Sequence, residues 1–239
     1  MVKNIVIVGG AGAIGSAFAR ELSVKYPNAK THSFSREIPD RTLPKLEYHR
    51  MDYTSEISLE KSALIASKEV PIDIVIVATG ILHDGDLKPE KSLKDLSKEK
   101  FQRIFEINTI VPALVAKHFL PKMNRKDNSI FALLSARVGS ISDNRLGGWY
   151  SYRSSKAALN MLIKNTAIEI GRSNKKIIVV GLHPGTVDSN LSLPFKANIP
   201  QEKLFKPEYS VQKLIEVITN LTFNQSGKCF AWDGKEVDP

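Results

Sequence analysis

Cysteine is almost missing from this chain of 239 residues: Cys229 stands alone. One thiol excludes an internal disulfide and any thiolate metal cluster, and no other metal-ligand spacing stands out. Cys229 itself reads as a small strand residue. Long apolar runs are missing too. None approaches the ~20 residues that span a bilayer. The opening Met1-Val2-Lys3-Asn4 leads straight into Ile5-Val6-Ile7-Val8, a run too short for a signal peptide and without a cleavage site. A cytoplasmic protein with no membrane partner is expected. There is no internal repeat, low-complexity tract or interdomain linker, so a single domain over 1–239 is expected. A basic block interleaved with aromatics is also absent. The net charge is +9, but the positives alternate with acids, as in Lys88-Pro89-Glu90-Lys91-Ser92-Leu93-Lys94-Asp95. That is a solvated surface rather than a nucleic-acid groove.

What is present is an alternation of strand-like stretches, several of them apolar, and helical patterns. Runs at 3–8, 30–35, 46–51, 72–78, 129–134, 176–182 and 229–232 read as strands; that at 72–78 is fully apolar, as in a parallel sheet buried on both faces. Helical patterns lie between them. The first carries Phe18 and Leu22 and stops at Pro27. Others cover 56–68, 97–120, Tyr152 to about Ile170 with Gly171 as the stop, and 207–220. Pro112 inside the 97–120 stretch predicts a kink or loosened turn. The alternation predicts an α/β fold: one doubly wound, Rossmann-type domain with a parallel sheet of about seven strands and helices on both faces.

The first strand runs into Gly9-Gly10-Ala11-Gly12-Ala13-Ile14-Gly15 and then a helix. Strand, glycine turn, helix is the context of a dinucleotide fingerprint. The glycines let backbone approach a pyrophosphate, and the helix N-terminus offers free N–H groups. The second strand ends Phe34-Ser35-Arg36, where an NAD-preferring fold places an acid; arginine suits a 2′-phosphate. NADP(H) is therefore expected over NAD(H). Tyr152 and Lys156, four apart, share a helix face. An ammonium beside a phenol favours the phenolate and lowers its pKa from ~10, making a proton donor for a carbonyl that receives a hydride. Alone, such a pair is common on solvated faces. His83 and Asp84 have no serine or cysteine nucleophile motif beside them and read as a loop pair without catalytic role.

In order and spacing these features resemble the short-chain dehydrogenase/reductase family over essentially the whole chain. The features are the glycine turn, Asp52, Asn108, Ser135, Tyr152 with Lys156, and Pro184-Gly185. The loop from Ser135 to Asn144 and the ending Ser226-Gly227 to Trp232-Asp233-Gly234 resemble its C-factor-type branch. The resemblance implies a hydride transfer between nicotinamide and a small carbonyl or alcohol, and a homodimer or homotetramer. It implies Tyr152 as general acid or base, Lys156 as its partner and ribose ligand, Asn108 in a proton relay, and Ser135 on the substrate oxygen, with Ser140 as the alternative. It implies a cofactor site of Gly9, Gly12, Ala13, Ile14, Gly15, Arg36, Asp52, Ala78, Gly80, Pro184, Gly185, Thr186 and Val187, with Ser189 near the phosphates. Residues 189–206, polar and mobile-looking, would be a substrate lid. Three departures stand out. Val8 replaces the usual threonine, Val77-Ala78-Thr79-Gly80 replaces Asn-Asn-Ala-Gly, and the usual serine pair reads Ser135-Ala136. The last departure motivates a second reading, a dinucleotide-binding signalling protein with weak or no catalysis.

Overall fold

The computed structural model describes residues 1–40, 42–198 and 200–239. The first half runs β1 (Asn4–Val8), α1 (Ala13–Lys25), β2 (Lys30–Ser35), β3 (Leu46–Arg50), α2 (Glu56–Ala66), β4 (Ile74–Val77), α3 (Lys98–Phe105) and α4 (Val111–Phe119). The second runs β5 (Ser129–Leu134), α5 (Tyr150–Ser173), β6 (Ile177–His183), β7 (Thr186–Val187), β8 (Leu204–Phe205), α6 (Pro207–Thr219) and β9 (Cys229–Ala231). Seven strands form one parallel sheet in the order β3-β2-β1-β4-β5-β6-β9.

The alternation of side chains along β1 explains the layers. Val6 and Val8 enter a core with Leu59 of α2, Phe119 of α4 and Leu159 of α5. Ile5 and Ile7 enter the opposite core with Phe18 and Leu22 of α1 and Leu214 and Ile218 of α6. A strand covered on both faces tends to be apolar along its length, which is why Ile5–Val8 of β1 and the whole of β4 read as unbroken runs. Strand order reverses between β1 and β4, and the crevice at the carboxyl ends of these strands is where such folds bind ligands.

One expectation is refined and two change. The loosened turn expected at Pro112 in 97–120 is a π-helical one, since Pro112 has no N–H to offer the Asn108 carbonyl. α3 therefore ends at Phe105, a π-helical turn covers Glu106–Ile110, and α4 begins at Val111. Gly171 does not stop α5, which continues to Ser173. A Cβ at 171 would lie 2.8 Å from the Phe223 ring, so the glycine makes room for an aromatic. Residues 189–206 carry more local order than their polarity suggested. β8 pairs with β7, and the Ser192 hydroxyl donates to the Val187 carbonyl at 2.7 Å. Nε2 of His83 lies 3.0 and 3.2 Å from the Asn190 and Leu191 carbonyls, so that loop histidine is a tether. Ile199, inside this segment, lies outside the described residues. Among those described, no helix is long and apolar enough to cross a membrane.

The turn Arg137–Gly139 presses on α5 where the helix carries Lys156. A Cβ at Gly139 would sit 2.8 Å from the backbone carbon and Cβ of Lys156. Gly139→Ala should therefore destabilise the fold by about 1–3 kcal/mol, the usual cost of overpacking. Urea unfolding checks it, and an unchanged midpoint would remove this contact from the account.

Candidate active site

The groove begins at the β1–α1 turn. Gly9 holds φ +91°, and a Cβ there would meet the Ala78 carbonyl carbon at 2.9 Å. The N–H groups of Gly9 and Gly10 both donate to the Phe34 carbonyl. A Cβ on Gly15 would lie 2.1 Å from the Gly9 oxygen, so only glycine lets α1 start this close to the turn. Gly12 is the N-cap of α1, and no side chain caps the helix. Its free N–H groups, at Ala13 and beyond, and positive dipole end suit a phosphate.

Two cavities meet at Ala78, Thr79 and Gly80. One, about 390 Å³, is lined by Gly9, Gly12, Ser35, Arg36, Tyr53 and Arg103. The other, about 300 Å³, holds Ile14, Ser135, Tyr152, Lys156, His183 and Val187, with Pro184, Gly185, Thr186 and Ser189 at its wall. An open glycine turn between a cationic end and a tyrosine–lysine end fits an extended dinucleotide. Asp52 is not among the lining residues. It is exposed, and its carboxylate accepts from the Thr54 hydroxyl and N–H at 2.7 and 2.9 Å, which holds its pKa below the usual range. Its neighbour Tyr53 lines the cavity. Arg103 carried no sequence signal among 34 basic residues; only the packing of α3 brings it to the same cavity as Arg36.

Tyr152 and Lys156 are buried one turn apart on α5. The Lys156 ammonium lies 5.9 Å from the Tyr152 ring centre and donates to the Leu134 carbonyl at 2.8 Å. Burial pushes the phenol up to about 12 and the amine down to about 8. The expected lowering of the phenol by its lysine is thus outweighed by desolvation in this cavity. Asn108 stands beside the pair: a Cβ on Gly80 would be 3.6 Å from both its Oδ1 and Lys156 Nζ.

The family model of the short chain dehydrogenases matches residues 3–199. The chain belongs to the short-chain dehydrogenase family. It is 31% identical to 1-hydroxy-2-glutathionyl-2-methyl-3-butene dehydrogenase of Rhodococcus sp. over 77% of this chain and 76% of that one. It is 33% identical to C-signal of Myxococcus xanthus over 61% and 82%. NADPH-bound carbonyl reductase from chicken fatty liver shares the fold, with TM-score 0.85, 22% identity and coverage of 100% and 94%. The protein is therefore an oxidoreductase of the short-chain dehydrogenase type.

In this short-chain dehydrogenase the serine position is altered. Ser135 borders the cavity, but its hydroxyl donates to Asn160 Oδ1 at 2.5 Å. Ala136 faces the cavity with a methyl group. Ser140 is not a lining residue; its hydroxyl bonds to the Asp143 N–H at 3.1 Å, within its own loop. The Ser135 hydroxyl thus has a protein acceptor at the cavity edge, and Ser140 lies outside the cavity lining. Two residues that sequence reasoning passed over flank the gap. His183, the last residue of β6, lines the cavity, and its Nδ1 is buried without a hydrogen-bond partner among the described residues. Burial lowers its pKa to about 4, so the imidazole is neutral. Trp149 adopts the left-handed region at φ 51°, an unusual conformation for a bulky residue, and its N–H donates to the Glu90 carbonyl. That strain holds the indole 5.1 Å from the Phe195 ring, over the cavity.

Lys156 gives a test with a definite sign. Its folded pKa, about 8, lies below its ordinary 10.5. Between those values the unfolded chain holds a proton that the folded chain lacks, so stability rises with pH across that window. Below it the buried charge is a constant penalty. Lys156→Met should therefore be more stable than the parent at pH 7, by about 1–3 kcal/mol, with the advantage shrinking toward pH 10. Urea unfolding at pH 7, 8 and 10 decides it; a pH-independent difference would show that burial does not lower this amine.

Proposed function

We propose that the chain is an NADP(H)-dependent reductase of small apolar carbonyl compounds, able to run in reverse on the alcohol. One observation carries this reading. Tyr152 and Lys156 stand in an apolar cavity that joins, at Ala78, Thr79 and Gly80, a second cavity with Arg36 and Arg103 at its wall. When bound, the nicotinamide supplies the hydride. The chain does the rest. The Gly9–Gly15 turn and the start of α1 hold the pyrophosphate, and Arg36 takes the 2′-phosphate through its planar fork. Lys156 holds a ribose hydroxyl, and the backbone at Thr186 and Val187 holds the carboxamide. Tyr152 gives its proton to the carbonyl oxygen as negative charge develops there. With Ser135 turned to Asn160, His183 is the second hydrogen-bond partner of that oxygen. Trp149, Leu191 and Phe195 keep water out, and residues 189–206 act as the lid.

Fluorescence titration should show NADPH bound more tightly than NADH. Arg36→Ala should cost NADPH about 10–100-fold, the worth of a charge-assisted contact, and leave NADH nearly unchanged. NADH preference in the parent would overturn the cofactor reading. Tyr152→Phe should keep NADPH binding and lose about 100-fold or more in kcat on aromatic and aliphatic ketones. Parent-like turnover by that variant would sink the mechanism. His183→Ala should lower kcat more than NADPH affinity, and adding Ala136→Ser to it should restore part of the loss. A variant at 183 with unchanged kcat would free the histidine of any role.

The Ser135 hydroxyl bonded to Asn160 and the likeness to C-signal favour one other reading, a dinucleotide-binding signalling protein. It predicts tight NADPH binding with no turnover of any carbonyl in the same screen.

A further inference from the structure

We propose that His32, Glu47 and His49 form a binding site for a divalent transition-metal ion of the Zn²⁺ class, on the sheet edge and apart from the dinucleotide groove. The β2–β3 register sets His32 opposite Glu47 and Phe34 opposite His49. Glu47 and His49 are two apart on β3, so they share a face, and the pairing puts His32 on that face. Three donor atoms converge there. His32 Nδ1 lies 3.0 Å from His49 Nε2 and 3.2 Å from Glu47 Oε2, and the last two are 3.8 Å apart. A triangle with these sides has one interior point equidistant from its corners, at about 2.0 Å, which is the length of a zinc bond to nitrogen or oxygen.

A hydrogen bond between the two imidazoles accounts for one side of the triangle. It leaves the carboxylate oxygen close to both nitrogens with one ring proton to share, whereas a cation satisfies all three. Two imidazoles and one carboxylate select zinc, cobalt, nickel or copper over magnesium and calcium. The rings are held in place: Phe34 stacks on His49 with centroids 4.7 Å apart and lies 6.2 Å from His32. The other charges nearby offset one another: Lys30 Nζ is 3.8 Å from the far oxygen of Glu47 and 2.5 Å from Glu69, one positive group against one further carboxylate. Buried His32 and half-exposed Glu47 leave the outer side open to water as a further ligand. An ion here would clamp β3, the edge strand, to β2, whose end carries Ser35 and the cofactor-facing Arg36.

The test uses the full chain stripped with EDTA and titrated calorimetrically with ZnCl₂ in the presence of millimolar MgCl₂. One zinc per chain should bind, and the melting temperature should rise with zinc concentration. Glu47→Gln, at the surface, and His49→Gln, at a partly buried ring, both near-conserving in side-chain size, should each weaken zinc binding by at least about tenfold. Co²⁺ should give a visible absorption band in the parent that is absent in His49→Gln. No zinc binding by the parent, or equal binding by both variants with unchanged circular dichroism, would overturn the site. None of these readouts depends on turnover or on NADPH, so the metal site and the proposed reductase stand or fall separately.

Discussion

The carboxamide of Asn108 ties together three parts of the chain that are far apart in sequence. It is fully buried. Its oxygen accepts the Ile81 N–H at 2.8 Å, and its nitrogen donates to the Ile81 carbonyl at 2.9 Å and the Ser155 hydroxyl at 3.2 Å. The next residue repeats the link, with the Thr109 hydroxyl donating to the Ser155 carbonyl at 2.9 Å. The exit of β4, the π turn and α5 next to Lys156 are thereby fixed against one another. Only an amide does this. An aspartate would set a carboxylate oxygen against the Ile81 carbonyl, and a leucine would strand the Ile81 N–H and carbonyl, at about 1–3 kcal/mol for each buried group. The clasp in turn depends on Pro112, whose missing N–H lets the π turn form. A proline that a local reading treats as a defect in a helix is part of what places the site.

The expected relay role of Asn108 therefore has a structural competitor in the molecule itself. Both ends of its side chain have protein partners, so the carboxamide also contributes to the cavity through position. It fixes Ser155, and with it the register of α5 that carries Tyr152 and Lys156. Glu90 does the same at the other end of that register. It is buried, its carboxylate accepts the Ser151 N–H, and its backbone carbonyl accepts the Trp149 N–H. The first turn of α5 is thus held by a residue 60 positions upstream, and the strain at Trp149 is carried by that contact.

The middle of the sheet was legible because strands covered on both faces, such as β4, are nearly all apolar, a signal no turn or surface helix imitates. The glycine turn was legible because close backbone approach excludes every side chain, and the structure shows that exclusion at Gly9 and Gly15. The tyrosine–lysine pair was legible as a spacing on one helix. What depended on direction was not. That Ser135 turns to Asn160 depends on a residue 25 positions away. Gly171 looked like a helix stop because a sequence does not show Phe223 packed against it. Arg103, His183 and Trp149 look like ordinary residues until the fold gathers them at one groove. The cluster of His32, Glu47 and His49 appears only once the register between two strands is known, since a shift of one residue would send Glu47 and His49 to the opposite face.

Under the proposed chemistry, burial also sets the protonation state from which the site starts. A phenol at about 12 keeps its proton at neutral pH. Drawing that value down to 7 so that Tyr152 acts as a base on an alcohol would take roughly 7 kcal/mol. As the acid in a reduction, the same phenol begins in the form it needs. Lys156, at about 8, still carries its charge at pH 7, but that charge is directed at the Leu134 carbonyl rather than at the phenol oxygen. The desolvation comes from the apolar side chains that shape the cavity, among them Leu82, Val138, Trp149, Leu191 and Phe195. The surface that would select an apolar carbonyl compound is therefore the surface that keeps the proton on Tyr152. A substitution that wets this cavity should act on selectivity and on the pH dependence of oxidation together, because both follow from one cause.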